Sequence, residues 1–189
     1  MWSTISDLGD AGLTLPLAIV CAVWLATSGW KPVMLWLTML GTGMLMVGLT
    51  KMFYAGCGVH LPLAEFRVIS GHTMLASAVW PMTLLLLFQG RTDGHVRLKV
   101  AAGLALAALI GVARVFDGAH TVPEVVVGWC VGAVITVLFV RWQHLPGLLP
   151  RWRRLAGVSL LSVSALAYGH HAPIQAAIDS YSSWLCLWF

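Results

Sequence analysis

The sequence predicts an all-α polytopic membrane protein, a bundle of six transmembrane helices followed by a C-terminal interfacial segment. Two observations carry that reading. Of the 189 residues, 59% are hydrophobic and 10% charged, against about 25% charged in an ordinary soluble domain, and the mean hydropathy is +0.87. The apolar residues also fall into runs separated by Gly, Pro and charge, near the length needed to cross ~30 Å of hydrocarbon. The ten Trp suit the aromatic belts of a bilayer protein.

The first run covers about Gly12–Thr27 and closes at Ser28-Gly29-Trp30-Lys31-Pro32. The second, about Pro32–Met52, opens on a proline, whose missing N–H does no harm in a first turn. The third covers about Gly71–Phe88, the fourth about Lys99–Phe116 and the fifth about Val122–Trp142. The sixth, about Leu155–Tyr168, is short for a span that ideally has ~20 residues. Residues 172–189 read as an amphipathic tail, with Trp184, Leu187, Trp188 and Phe189 as interfacial anchors. No linker, repeat or low-complexity stretch divides the chain, so residues 1–189 are expected to form one domain. No Lys or Arg precedes the first apolar run, so a retained first span is expected rather than a cleavable signal peptide.

The basic residues orient the bundle. With six spans, Lys31, Arg91, Arg97, Lys99, Arg141, Arg151, Arg153 and Arg154 share one side, while Lys51, Arg67 and Arg114 fall on the other. An excess of Lys and Arg marks the cytoplasmic side. The same distribution accounts for the net charge of +4 without nucleic acid, since no basic cluster is interleaved with aromatics. Of the four Cys, Cys21 and Cys130 read as small core residues. Cys57 and Cys186 fall on one side, where an oxidising compartment would permit a disulfide.

Ionisable groups at membrane depth cost roughly 2.5–3.5 kcal/mol each on insertion scales and usually mark function. The stretch Arg114-Val115-Phe116-Asp117-Gly118-Ala119-His120-Thr121-Val122-Pro123-Glu124 holds a cation, an imidazole and a carboxylate. Upstream lie Ser70-Gly71-His72 and Lys51. In the six-span topology these groups meet at four helix ends near the outer surface. Together they suit an anionic phosphoryl group. Lys51 and Arg114 supply charge, and Arg grips two oxygens at once. Ser70 and Gly71 open a helix whose N–H groups and dipole favour an anion. His120 is a candidate nucleophile with Glu124 orienting its ring, and His72 a candidate acid for the leaving oxygen. Basic side chains do the charge work, so neither a metal nor another cofactor is required.

These residues resemble the motifs of the type 2 phosphatidic acid phosphatase (PAP2) superfamily of membrane lipid phosphatases. Its second motif, Pro-Ser-Gly-His, appears as Ile69-Ser70-Gly71-His72. Its third, Ser-Arg, five residues, His, three residues, Asp, appears as Ala113-Arg114 … His120 … Glu124. The resemblance implies a six-helix PAP2-like bundle and a metal-independent phosphatase. It implies His120 as the nucleophile of a phosphohistidine, Glu124 as its partner, His72 as general acid, and Lys51, Ser70, Gly71 and Arg114 as phosphate ligands. Ile69, Ala113 and Glu124 depart from the pattern. The first motif, Lys, six residues, Arg-Pro, has Gly58 where Arg belongs; Arg67 is the candidate phosphate-binding substitute, with His60 as an alternative.

The expected substrate is a lipid phosphate or diphosphate in the outer leaflet of a bacterial inner membrane. Polyprenyl diphosphate, phosphatidylglycerophosphate, phosphatidic acid and a glycolipid phosphate all qualify, with the site facing the periplasm or exterior. The alternatives are a lipid phosphotransferase using the same site, a catalytically silent binder or carrier of anionic lipid, and a metal-binding protein using His60, His72, His120 and Glu124. Blander roles compete at single positions. Thr121-Val122-Pro123-Glu124 reads as a capping box, Ser70 as an N-cap, Asp117-Gly118 as a turn, and Glu65–Arg67 as a surface ion pair. Met39, Met44, Met46 and Met52 read as lipid-facing or packing surface.

Overall fold

The computed structural model describes residues 2–60, 62, 65–88, 95–143, 150–174, 178, 180 and 182. Among these the fold is all-α. A short α1 (Trp2–Ser6) leads through a 3₁₀ turn at Asp7–Gly9 into α2 (Ala11–Ala26). There follow α3 (Trp30–Cys57), α4 (Gly71–Leu87), α5 (Val96–Phe116), α6 (Val122–Trp142) and α7 (Pro150–Ala167). Four helical stretches are long and apolar enough to cross a membrane: Trp2–Ala26, Trp30–Cys57, Val96–Phe116 and Val122–Trp142. The chain is therefore a membrane protein. The expected tail anchors Trp184, Leu187, Trp188 and Phe189, with Arg91, His144 and Cys186, lie outside the described residues.

Helix α5 begins at Val96 and α7 at Pro150, ahead of the expected Lys99 and Leu155, and two further differences have physical reasons. Helix α3 does not stop near Met52. Phe53, Tyr54, Ala55 and Gly56 continue it to Cys57, and Gly58 ends it with φ of 65°. The Gly58 N–H donates to the Tyr54 carbonyl at 2.9 Å, the five-to-one bond of an αL helix ending. Lys51 thus projects from within a helix rather than from its end. At the N-terminus α1 had no sequence signature. It is held by stacking of Trp2 on Phe116, with ring centroids 4.7 Å apart, and the 3₁₀ turn after it by the Trp80 indole N–H on the Leu8 carbonyl at 2.9 Å.

Helix α4 is the hub. It spans 17 residues, short of a full crossing, and it packs against α2, α3, α5, α6 and α7. Surrounded by protein, it carries polar residues inside. The Ser77 hydroxyl donates to the Thr73 carbonyl at 2.7 Å, Thr83 to Val79 at 3.0 Å, and Thr136 of α6 to the Ser77 carbonyl at 2.8 Å. These bonds satisfy groups that hydrocarbon would leave unpaired. Elsewhere the core interlocks Trp36 of α3 edge-on with Phe139 of α6, centroids 5.5 Å apart.

Small residues let the backbones approach, the usual device for helices in lipid. A Cβ at Gly103 of α5 would collide with the backbone of Pro81 in α4, and one at Gly132 of α6 with Met74 and Ser77. A Cβ at Gly41, by contrast, would meet nothing within 4 Å. Gly103→Val is expected to destabilise the bundle by about 1–3 kcal/mol, the scale of overpacking. Gly41→Ala should be neutral or stabilising by up to ~1 kcal/mol. Thermal unfolding midpoints in detergent compare the two; equal midpoints would refute the close packing of α4 on α5.

Candidate active site

Six segments converge at one end of the bundle. Asp10 caps the start of α2, Lys51 sits in the last two turns of α3, and Gly71 and His72 open α4. Arg114 lies in the last turn of α5, His120 and Glu124 flank the start of α6, and Ala172 follows α7. All of them line one cavity of about 710 Å³. Its walls are otherwise apolar, with Met44 and Val47 of α3 and Met74 and Leu75 of α4 among them.

The Glu124 carboxylate organises this end. It is fully buried and both oxygens are engaged. Oε2 lies 2.8 Å from His120 Nδ1 and accepts the Thr121 N–H at 3.1 Å. Oε1 accepts the Arg67 N–H at 2.9 Å and Nε–H at 3.3 Å, and the Val68 N–H at 3.3 Å. Glu124 therefore serves both readings of its motif: it caps α6, and it holds the His120 ring. The i, i+4 spacing across a helix start brings the two side chains together. The extra methylene relative to aspartate lets the carboxylate reach the 67–68 backbone as well.

The His120 side chain is 8% exposed. Burial moves its pKa below the usual imidazole value; the Glu124 contact opposes this, and the Arg114 and Lys51 charges reinforce it. The ring is therefore neutral near pH 7, the form that can attack. On α5, Arg114 Nη1–H donates to the Ser6 hydroxyl at 3.0 Å. Its Nε is buried with no hydrogen-bond partner among the described residues, an unmet donor on a residue that lines the cavity.

Of the residues singled out from the sequence, His72, His120, Glu124, Lys51, Arg114, Gly71 and Arg67 line the cavity. Ser70 does not. It occupies the N-cap position of α4 but is fully buried, its hydroxyl 2.9 Å from that of Thr73 and its N–H on the Glu124 carbonyl at 3.2 Å. Arg67 pairs with Glu124 rather than Glu65; Glu65 instead accepts the Thr121 hydroxyl on its carbonyl at 2.9 Å. His60 stands outside the cavity lining, with Nδ1 2.7 Å from the Gly58 carbonyl and its ring against Tyr54. Asp117 and Gly118 form the expected turn, Gly118 with φ of 67°. Met44 faces the cavity rather than lipid. Among the described residues no group of three or more His, Cys, Asp or Glu could hold a metal ion.

Sequence reasoning missed Asp10, whose Oδ2 lies 3.4 Å from His72 Nε2 and 3.4 Å from His171 Nδ1. It also missed Tyr54, which lines the cavity and hydrogen-bonds Arg67. An acidic residue directly before a long apolar run was the available signal for Asp10.

A Klebsiella pneumoniae protein described as an uncharacterized 22.5 kDa protein in the cps region is 28% identical over 188 residues, covering 96% of this chain and 90% of its own length. No solved structure matches the chain. The PAP2 superfamily model matches residues 32–147, a stretch that contains Lys51, His72, Arg114, His120 and Glu124, and on that match the chain belongs to the PAP2 superfamily.

Proposed function

We propose that the protein is a metal-independent phosphatase that removes phosphate from a lipid phosphate or diphosphate at the outer face of the membrane. PAP2 superfamily proteins are typically phosphatases of phosphate esters. The observation that carries the reading is His120 fixed on a buried carboxylate at 2.8 Å in the same cavity as His72, Lys51 and Arg114. In the proposed reaction the free ring nitrogen of His120 attacks phosphorus and a P–N bond forms. The P–O bond to the lipid breaks, and His72 gives its proton to the leaving oxygen. Water then attacks the phosphohistidine, losing a proton to His72, and inorganic phosphate departs with His120 regenerated. Lys51 and Arg114 stabilise the charge on the phosphoryl oxygens, and Gly71 at the start of α4 admits them closely. The apolar wall suits the first carbons of a lipid tail.

The proposed topology has six spans, α2 to α7, with the cavity end outside. The distribution of Lys and Arg supports it. So does Cys57, which is disulfide-bonded at the cavity end of α3, as an oxidising compartment permits; Cys21 and Cys130 within the spans are free. The pairing expected for Cys57 involves Cys186, outside the described residues. A lipid phosphotransferase would use the same phosphohistidine with a hydroxyl in place of water.

A phosphate-release screen of the purified protein on polyprenyl diphosphate, phosphatidylglycerophosphate and phosphatidic acid tests the proposal. Release should persist in EDTA and be inhibited by vanadate. Binding without release from any of them would favour the silent carrier. His120→Ala and His72→Ala should each lower turnover at least ~10²-fold with the fold intact; near-normal activity in either removes the mechanism. Because the pKa of His120 is depressed, the neutral nucleophile persists as pH falls through the ordinary imidazole value of about 6.5. The acidic limb of the kcat/KM profile should therefore lie below that value, and a limb above it would contradict the burial argument. From the resemblance alone Glu124→Asp would preserve or raise activity. With one carboxylate spanning His120 and the 67–68 backbone, the shorter side chain is expected to lower turnover about tenfold or more, read against wild type in the same assay.

A further inference from the structure

The N-terminal segment lies ahead of the family-matched stretch 32–147, yet it reaches two groups of the cavity. Ser6 receives a hydrogen bond from Arg114, and Asp10 faces His72. The Asp10 carboxylate is held in a defined orientation. Its Oδ1 accepts the Gly12 N–H at 2.7 Å, which caps α2, and the Ala172 N–H at 3.1 Å, from beyond α7. That leaves Oδ2 directed at the imidazoles of His72 and His171, each 3.4 Å away. The Asp10 side chain is 11% exposed and that of His72 25%, so water screens the pair weakly.

The charges around His72 make this carboxylate consequential. Arg114 from α5, Lys51 from α3 and His120 from the start of α6 line the same cavity as the His72 ring. The other carboxylate lining the cavity among the described residues, Glu124, is occupied by His120, Arg67 and backbone amides. Asp10 is thus the carboxylate that faces His72 directly, in a cavity also lined by Lys51, Arg67 and Arg114.

We propose that Asp10 is a positioning residue for the acid of this site: anchored by the starts of α2 and of the segment after α7, it holds the His72 ring oriented for proton transfer to the leaving oxygen and supplies the negative charge that offsets the imidazolium. The inference rests on the phosphatase reading above. The proton passes from His72 to that oxygen as the P–O bond breaks, Asp10 stays ionised throughout, and the ring is reprotonated by the water that hydrolyses the phosphohistidine.

Asp10→Asn isolates this role. Asn caps helices as well as Asp does and keeps an oxygen for the Gly12 and Ala172 amides, but it removes the charge. With the lipid phosphate that wild type turns over fastest in the screen, Asp10→Asn is expected to lower kcat at least ~10-fold with an unfolding midpoint close to wild type. Vanadate inhibition should be equal or tighter, since a negative charge has left an anion cavity. Loss of vanadate inhibition together with kcat would assign Asp10 a merely structural role and overturn the inference. Unchanged kcat would overturn it directly. Asp10→Glu, which restores the charge on a longer arm, should recover part of the lost kcat; recovery no better than Asn would also count against it. Wild type that releases phosphate from no lipid would instead sink the phosphatase reading itself, and the inference with it.

Discussion

The buried carboxylate of Glu124 is the constraint on which the cavity end depends. An ionised carboxylate with 0% exposure is tolerable only when every lone pair is met. Meeting them dictates the surroundings: the Thr121 amide fixes the first turn of α6, the Arg67 and Val68 amides fix the chain that leads into α4, and His120 receives its orientation from what remains. One side chain therefore sets the entry of two helices and the angle of the imidazole between them. The Ser70 N–H on the Glu124 carbonyl ties the same two helix starts a second time, through backbone alone.

Around that anchor the charges are arranged asymmetrically. Cations arrive from α3 and α5, imidazoles from the starts of α4 and α6, and the two carboxylates lie behind the imidazoles. Each of these histidines thus has an anion at its back, Glu124 for His120 and Asp10 for His72. The two pairs differ in tightness. His120 sits 2.8 Å from a saturated carboxylate, and its environment keeps it neutral. His72 sits 3.4 Å from an Asp10 oxygen that also faces His171.

Much of this was legible in the sequence. The fifth apolar run coincides with α6, because capping residues and a terminal Arg-Trp bound a continuous apolar stretch. The pairing of His120 with Glu124 followed from their four-residue spacing. What escaped was long-range or compensated. Asp10 and His72 lie far apart along the chain, with a whole span and more between them, and nothing local announces the partner. Ser70 was singled out because it opens a helix with N–H groups to offer, but its own N–H goes to the Glu124 carbonyl and its hydroxyl lies 2.9 Å from that of Thr73. Arg67 was singled out for phosphate, yet no local pattern signalled that Glu124, with its extra methylene, would bind it. Helix α3 outran its expected end because Phe53 and Tyr54 are compatible with both a helix and an interface.

The central position of α4 bears on how the protein is made. A segment of 17 residues carrying Thr73, Ser77 and Thr83 partitions weakly into hydrocarbon by itself. Two of its neighbours, α2 and α3, emerge from the ribosome before it, and the other three, α5, α6 and α7, after it. Its settled place in the bilayer must therefore await chain synthesised later, so the cavity is completed at the last stage of biogenesis, when the carboxyl-terminal helices have closed around a core already threaded among them.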